Sequence, residues 1–125
     1  MISVQEYIRA NGSNPYKSWF DGLDPQAAAK VATATLRLEL GNTSNVKWFQ
    51  GIGELKIDWG PGYRIYLAKD GEMLIVLFAG GTKKRQQTDI QWAKSLHAEY
   101  KMRKAFQKKA DEARASQIKR ESKWR

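Results

Sequence analysis

The sequence has no cysteine. Disulfide stapling and thiolate metal sites are therefore excluded, and a reducing cytoplasm is the compatible and expected location. It has a single histidine, His97, which excludes a multi-histidine zinc site and a pair of catalytic histidines within one chain. No apolar run approaches the ~20 residues that a membrane-spanning helix needs. The N-terminus, MISVQEYIRA, lacks a basic-then-apolar leader, so neither a signal peptide nor a membrane association is expected. Internal repeats and low-complexity linkers are also lacking. No cofactor and no metal are expected.

What is present is a chain of 125 residues, 42% of them apolar, with five Trp, five Tyr and four Phe. That suffices for one domain with a core and is short for two. The net charge is +9, which points to a polyanionic partner, most simply nucleic acid. The charge is unevenly spread. Residues 101–125 hold ten Lys or Arg against three acids, whereas residues 1–100 hold twelve against ten. The chain thus divides into a domain over 1–100 and a basic C-terminal extension over 101–125. The plain reading of such an extension is a solvated helix or a disordered end.

Local signals outline the fold. Ile2-Ser3-Val4 begins a short alternating segment, read as an edge strand. Asn14-Pro15 and Asp24-Pro25 each pair a helix cap with a proline at the first helical position. They open a short helix over Tyr16–Asp21, closed by Gly22, and a longer one, QAAAKVATATLRLEL, closed by Gly41. The apolar positions of the longer helix, including Val31, Leu36, Leu38 and Leu40, form a broad stripe that predicts packing on both a sheet and the first helix. Residues 42–53 read as a loop, with Trp48 and Phe49 as anchors into the core. ELKIDWGPGYRIYL (residues 54–67) is a hairpin of two alternating runs. A three-residue Gly60-Pro61-Gly62 loop pairs Trp59 with Tyr63, Ile57 with Ile65 and Leu55 with Leu67, which gives one greasy face. It sets Asp58 opposite Arg64 and Lys56 opposite Tyr66 on a polar, exposed face. After a turn at Lys69-Asp70-Gly71-Glu72, MLIVLFA (residues 73–79) is a continuous apolar run, read as a central strand buried on both faces. Thr82 is placed to cap a last helix from about Lys84 to Tyr100 or beyond, with Ile90, Ala93, Leu96 and Tyr100 as its inner stripe. The expected class is α+β, in the order β-α-α-β-β-β-α. It is a small, mostly antiparallel four-stranded sheet with two N-terminal helices on one face and a C-terminal helix.

Three basic elements are candidates to converge: Lys56 and Arg64 on the hairpin, and Lys83-Lys84-Arg85 at the strand-to-helix switch. The preceding Gly80-Gly81 would let backbone N–H groups approach an anion there. Such a cluster suits a phosphodiester. RNA cleavage by 2′-hydroxyl attack needs no metal, only cations around a dianionic transition state and help with two proton transfers. Arg64 suits bidentate contact with phosphate oxygens. Lys56, with Lys83 or Lys84, would stabilise charge, and Asp58 and Tyr66 are further proton handlers. Arg85 and the first cations of the extension, Lys101, Arg103 and Lys104, would contact RNA. Each feature also has a plainer reading. Asp58 and Arg64 can be a cross-strand ion pair worth a few tenths of a kcal/mol. Lys83–Arg85 can be a solvated helix start. Gly80-Gly81 matches no P-loop. His97 reads as a surface or packing histidine.

ELKIDWGPGYRIYL and LFAGGTKKRQQTDIQWA, together with WFDGLDPQAAAKV and LRLELGNTSNVKWFQGIGEL, resemble the RelE/ParE superfamily of bacterial toxins, within its phage-derived, HigB-like addiction-module-killer branch. The resemblance covers about residues 1–100. It implies a small sheet with two N-terminal helices and a cytoplasmic toxin held inactive by a cognate antitoxin. The antitoxin would be of helix-turn-helix type and would be the only route to operator DNA. RelE-type members are ribosome-dependent mRNA endonucleases that use clustered Lys and Arg. By that resemblance Lys56 matches a basic position on the second strand and Arg64 the arginine of the G-Y-R motif. One of Lys83, Lys84 and Arg85 matches a basic position after the last strand. The chain departs from the pattern at Asp58, where RelE has a second lysine. It also lacks the C-terminal tyrosine of RelE and the histidines of some HigB toxins. Three functions stay open at this point: an mRNA endonuclease acting on the ribosome, a ParE-like gyrase inhibitor, and a non-toxic nucleic-acid or partner-binding module.

Overall fold

The computed structural model describes residues 1–123. The elements run β1 (Ser3–Glu6), α1 (Pro15–Asp21), α2 (Pro25–Glu39), β2 (Val46–Phe49), β3 (Ile52–Ile57), β4 (Tyr63–Lys69), β5 (Leu74–Gly81), a 3₁₀ turn (Lys83–Arg85) and α3 (Gln86–Ser122). The two helix starts work as their sequences imply. The Asn14 side chain accepts from the Lys17 N–H at 3.0 Å and Asp24 from the Ala27 N–H at 2.9 Å, with Pro15 and Pro25 just inside. Each cap satisfies one N–H that the first turn leaves without a helical partner. Gly41, at φ 89°, ends α2 in the left-handed region.

The class is α+β, with a mixed sheet of five strands in the order β1-β5-β4-β3-β2. β1 lies parallel to β5 at one edge, and the other three pairings are antiparallel. The expected count of four strands is corrected by β2, which occupies part of the expected loop over 42–53 and forms a hairpin with β3. Its two-residue turn is Gln50-Gly51, with φ 51° and 86°. Positive φ at both positions matches the twist of a tight hairpin, but glutamine is not a usual occupant, so the turn carried no clear sequence signal. Trp48 is not a core anchor; its ring is partly exposed and lies under Lys69 Nζ at 5.5 Å. Phe49 is half-buried against the core.

The β3–β4 register is shifted by two residues from the expected one. Ile57 faces Tyr63, Leu55 faces Ile65, Lys56 faces Arg64 and Glu54 faces Tyr66. The connection is therefore residues 58–62, closed by bonds from Trp59 N–H to Ile57 O and from Gly62 N–H to Trp59 O. A shift of two keeps every side chain on its own face. The apolar set Leu55, Ile57, Ile65 and Leu67 stays together, while Asp58 leaves the ladder.

Helices cover both faces of the sheet. Tyr16, Val31 and Leu38 pack with Leu55, Ile57, Ile65, Leu67, Ile75 and Leu77 on the α1–α2 side. Ile90, Ala93 and Leu96 of α3 pack with Tyr7, Ile52, Tyr66, Ala68, Val76 and Phe78 on the other. A bulge in β5, where Tyr66 faces Ala79 but Leu67 faces Leu77, sets Phe78 and Ala79 both toward α3. The expected inner stripe of the last helix is observed, and β5 is an interior strand buried on both sides over residues 75–79; Met73, counted in the expected run, lies outside the strand and is exposed. Leu36 of α2 and Leu40 at its C-cap, both counted in the expected apolar stripe, are exposed instead.

The last helix begins at Gln86, after the 3₁₀ turn, and the Thr82 side chain makes no capping bond. α3 then continues unbroken through Ser122 for 37 residues, about 55 Å at 1.5 Å per residue. The basic extension is thus the second half of a helix; Trp124 and Arg125 lie outside the described residues.

Gly80 and Gly81 have a packing role on both faces of the sheet. A Cβ at Gly80 would stand 2.1 Å from the Trp19 ring, and one at Gly81 would stand 1.9 Å from the Asp89 carboxylate. Gly80→Ala is expected to cost about 1–3 kcal/mol through overpacking, lowering Tm by roughly 4–12 °C. Adding Trp19→Leu should recover most of the loss. Thermal melts of the two variants check this, and an unchanged Tm for Gly80→Ala would refute the close approach.

Candidate functional site

Lys56, Arg64 and Gly81 are direct neighbours across β3, β4 and β5. With strands ~4.8 Å apart, this row spans roughly 10 Å. The 3₁₀ turn Lys83–Arg85 follows directly at its β5 end. Lys56, Lys83, Lys84 and Arg85 are exposed. The basic residues singled out on the hairpin and at the switch are therefore brought to one end of the sheet, by strand pairing rather than by sequence proximity.

Arg64 is not an open phosphate clamp. It is 5% exposed, and its Nε lies 3.6 Å from Glu54 Oε1. Its Nη1 donates to Gly62 O at 2.8 Å. The expected cross-strand partner, Asp58, sits in the connection; Glu54 is the partner instead. Gln86, in the first turn of α3, donates to the other Glu54 oxygen at 2.9 Å. Tyr66 is also corrected. It is fully buried, and its hydroxyl finds no hydrogen-bond partner among the described residues. Burial, followed by the negative charges of Glu54 and Asp89, pushes its pKa far up. It is a protonated core phenol and not a solvent-side proton handler. Of the expected exposed polar face, Arg64 and Tyr66 are thus buried beneath α3, while Lys56 and Asp58 remain exposed.

Glu54, Gln86 and Asp89 were not singled out from sequence. Glu54 alternates with Lys56 and had no distinguishing signal. Asp89 stands over Gly81, and its pKa is raised by burial, with Arg85 opposing. Asp89 is half-buried there, beside the 3₁₀ turn. Asp58 is exposed at the loop.

The expected RNA contacts divide. Lys101 is exposed. Arg103 donates to Ile8 O at 2.8 Å and to the Tyr7 hydroxyl at 3.2 Å. Lys104 and Tyr100 both hold Asp70. Arg103 and Lys104 thus tie α3 to the segment just after β1 and to the β4–β5 turn. Arg9 and Glu99 add a further tie at 3.1 Å. His97 packs on Phe78, with ring centroids 5.4 Å apart. Burial, then Lys101, lowers its pKa, against a smaller opposing pull from Asp70. Among the described residues no group of three or more His, Cys, Asp or Glu could hold a metal ion, and no helix is long and apolar enough to cross a membrane.

The fold and the site define a class: a small α+β protein with a helix-covered mixed sheet and a cluster of cations at one sheet end. No protein-family model matches the chain. An uncharacterized protein of Haemophilus influenzae is 41% identical over 86 residues, which cover 67% of this chain and 87% of that protein. The chain belongs to the same family as that protein.

Two outcomes follow from the buried charges. Glu54→Gln leaves Arg64 without a counter-charge and is expected to cost about 3–5 kcal/mol. The paired replacement Glu54→Leu with Arg64→Met should be far milder, as urea denaturation can measure. For pH, the lowered pKa of His97 means that the unfolded chain takes up a proton near 6.5 that the folded chain resists. Stability should therefore fall as pH drops through 6.5. The lowered pKa of Asp70, held by Lys104 and Tyr100, adds a further loss as pH falls through and below 3.8. His97→Phe should flatten the first of these slopes and leave the second, as melts at graded pH would record.

Proposed function

We propose that the chain is the toxin of a toxin–antitoxin pair of RelE/ParE type, HigB-like in branch, and that it cuts messenger RNA on the ribosome without a metal. What carries this reading is the set of four exposed cations, Lys56, Lys83, Lys84 and Arg85, on neighbouring elements at one sheet end. The arrangement of two N-terminal helices, an antiparallel meander and a last helix is of the kind that the resemblance implies. In the proposed step, the message's 2′-oxygen attacks the adjacent phosphorus and the bond to the 5′-oxygen breaks. The exposed cations stabilise the added negative charge. One proton leaves the 2′-hydroxyl and another reaches the departing 5′-oxygen, with Asp89, Asp58 and Lys56 as the carriers within reach of solvent or of the turn. Arg64, neutralised by Glu54, orients the row instead of meeting the phosphate. The partners are the ribosome with its message and a cognate helix-turn-helix antitoxin, through which operator DNA is reached. The setting is the cytoplasm, and the outcome is growth inhibition.

A second reading, a ParE-like inhibitor of gyrase, is favoured by two observations: the Tyr66 hydroxyl is buried and the Arg64 charge is already paired. A brief pulse of expression distinguishes them. The endonuclease reading expects new 5′ ends within messages. It also expects their loss by about 10²-fold or more in Lys83→Ser/Lys84→Ser/Arg85→Ser, whose positions are all exposed. DNA breaks linked to gyrase, with intact messages, would select the second reading. Absence of both kinds of damage would leave a binding module.

A further inference from the structure

A second basic feature lies on the α2 side of the sheet. The β2–β3 ladder stops at Val46–Leu55, so the outer edge of β3 beyond Leu55 is open. There α2, the following loop and β3 enclose a groove of about 540 Å³ whose lining includes Lys30, Arg37, Lys56, Asn42, Asn45 and Trp59, with Asp58 as its one acid. The three cations come from two elements, are exposed, and have no ion-pair partner among the described residues. Asn42 Oδ1 is taken by the Ser44 N–H and hydroxyl, which leaves its amide NH₂ to donate. Trp59 is half-buried and stacks on Tyr63 at 6.2 Å, and Lys30 Nζ lies 5.9 Å from the Trp59 ring centroid.

A groove that joins several unpaired cations to an aromatic ring and amide donors meets the two needs of a single polynucleotide strand. Cations track the phosphates, and a base would stack on the Trp59 ring in the place that Lys30 Nζ holds in the free protein, with Tyr63 already stacked on the indole. A duplex hides its base faces and gains nothing from Trp59. We propose that this groove binds a single nucleic-acid strand, with Lys30 and Arg37 on successive phosphates and a base against Trp59. Lys56 lies both in this groove and in the row with Arg64 and Gly81. A strand in the groove would therefore lead into the cation cluster at the sheet end. The inference goes beyond the cleavage reading, because binding here needs neither chemistry nor a ribosome.

The test uses the full chain and short single-stranded RNA and DNA of one sequence, with their duplex as competitor and ribosomes left out. Lys30→Ser/Arg37→Ser is expected to weaken binding of the single strand about tenfold at low salt and to lower the salt slope by roughly 1.4, for two lost phosphate contacts. Lys119→Ser/Arg120→Ser removes the same charge from the far end of α3 and should change binding by less than about twofold. The Trp59 indole N–H resonance, identified by its loss in Trp59→Phe, should shift on adding the single strand. A preference for RNA would mark a message as the source, and equal binding of DNA would mark a strand of either sugar; both sustain the groove. Equal losses from the two double variants would overturn the proposal, as would an unmoved Trp59 resonance or a duplex that competes as well as the single strand. No binding of the single strand by the unaltered chain, while messages are still cut, would sink this inference alone.

Discussion

The arrangement of this protein turns on one buried ion pair. Glu54 and Arg64 sit on neighbouring strands with their side chains 9% and 7% exposed, beneath the first turn of α3. Two charges removed from water are costly unless each is compensated. Here Glu54 accepts from Gln86 and faces Arg64 Nε at 3.6 Å as its counter-charge, while Arg64 donates to Gly62 O through Nη1. The pair therefore links the β3–β4 hairpin, its connecting loop and the start of α3. Any register other than Lys56 opposite Arg64 would move Glu54 away from its partners.

The same constraint shapes the surface. Because the charge of Arg64 is met from inside, the positive field at this sheet end comes from Lys56 and from the 3₁₀ turn. Gly81 is needed for a related reason. Asp89 lies over its Cα, where a side chain would collide, so the start of α3 can sit close to the sheet. On the opposite face Gly80 admits Trp19. One dipeptide thus lets a helix approach from each side, and the turn that follows is held where its cations project into solvent.

α3 has two regimes along its length. Up to Tyr100 it buries Ile90, Ala93 and Leu96 and behaves as a core helix. From Lys101 onward nearly every residue is exposed, so packing no longer supports it beyond the ties of Arg103 and Lys104. Stability along such a helix is expected to decline toward its far end, where backbone hydrogen bonds meet water. Its surplus of positive charge adds long-range attraction for polyanions, and that attraction weakens with salt.

Local chemistry was legible in the sequence wherever a short-range rule governs. Asn14-Pro15 and Asp24-Pro25 located two helices because a cap and a fixed proline φ act within three residues. MLIVLFA announced an interior strand because only a strand buried on both sides tolerates such a run. The parity of ELKIDWGPGYRIYL separated Leu55, Ile57 and Ile65 from the polar set, and the cations of the 3₁₀ turn were visible as a cluster. The tertiary structure alone decided the rest. Whether the polar set of the hairpin faced water depended on α3 crossing it. Whether Arg64 met Asp58 or Glu54 depended on a two-residue register shift that alternation cannot detect, since both registers keep the same faces. β2 depended on pairing with β3 across a Gln-Gly turn. Side-chain identity determines local conformation and face, but burial and charge pairing are set by which surfaces meet, and those meetings join residues far apart in the chain.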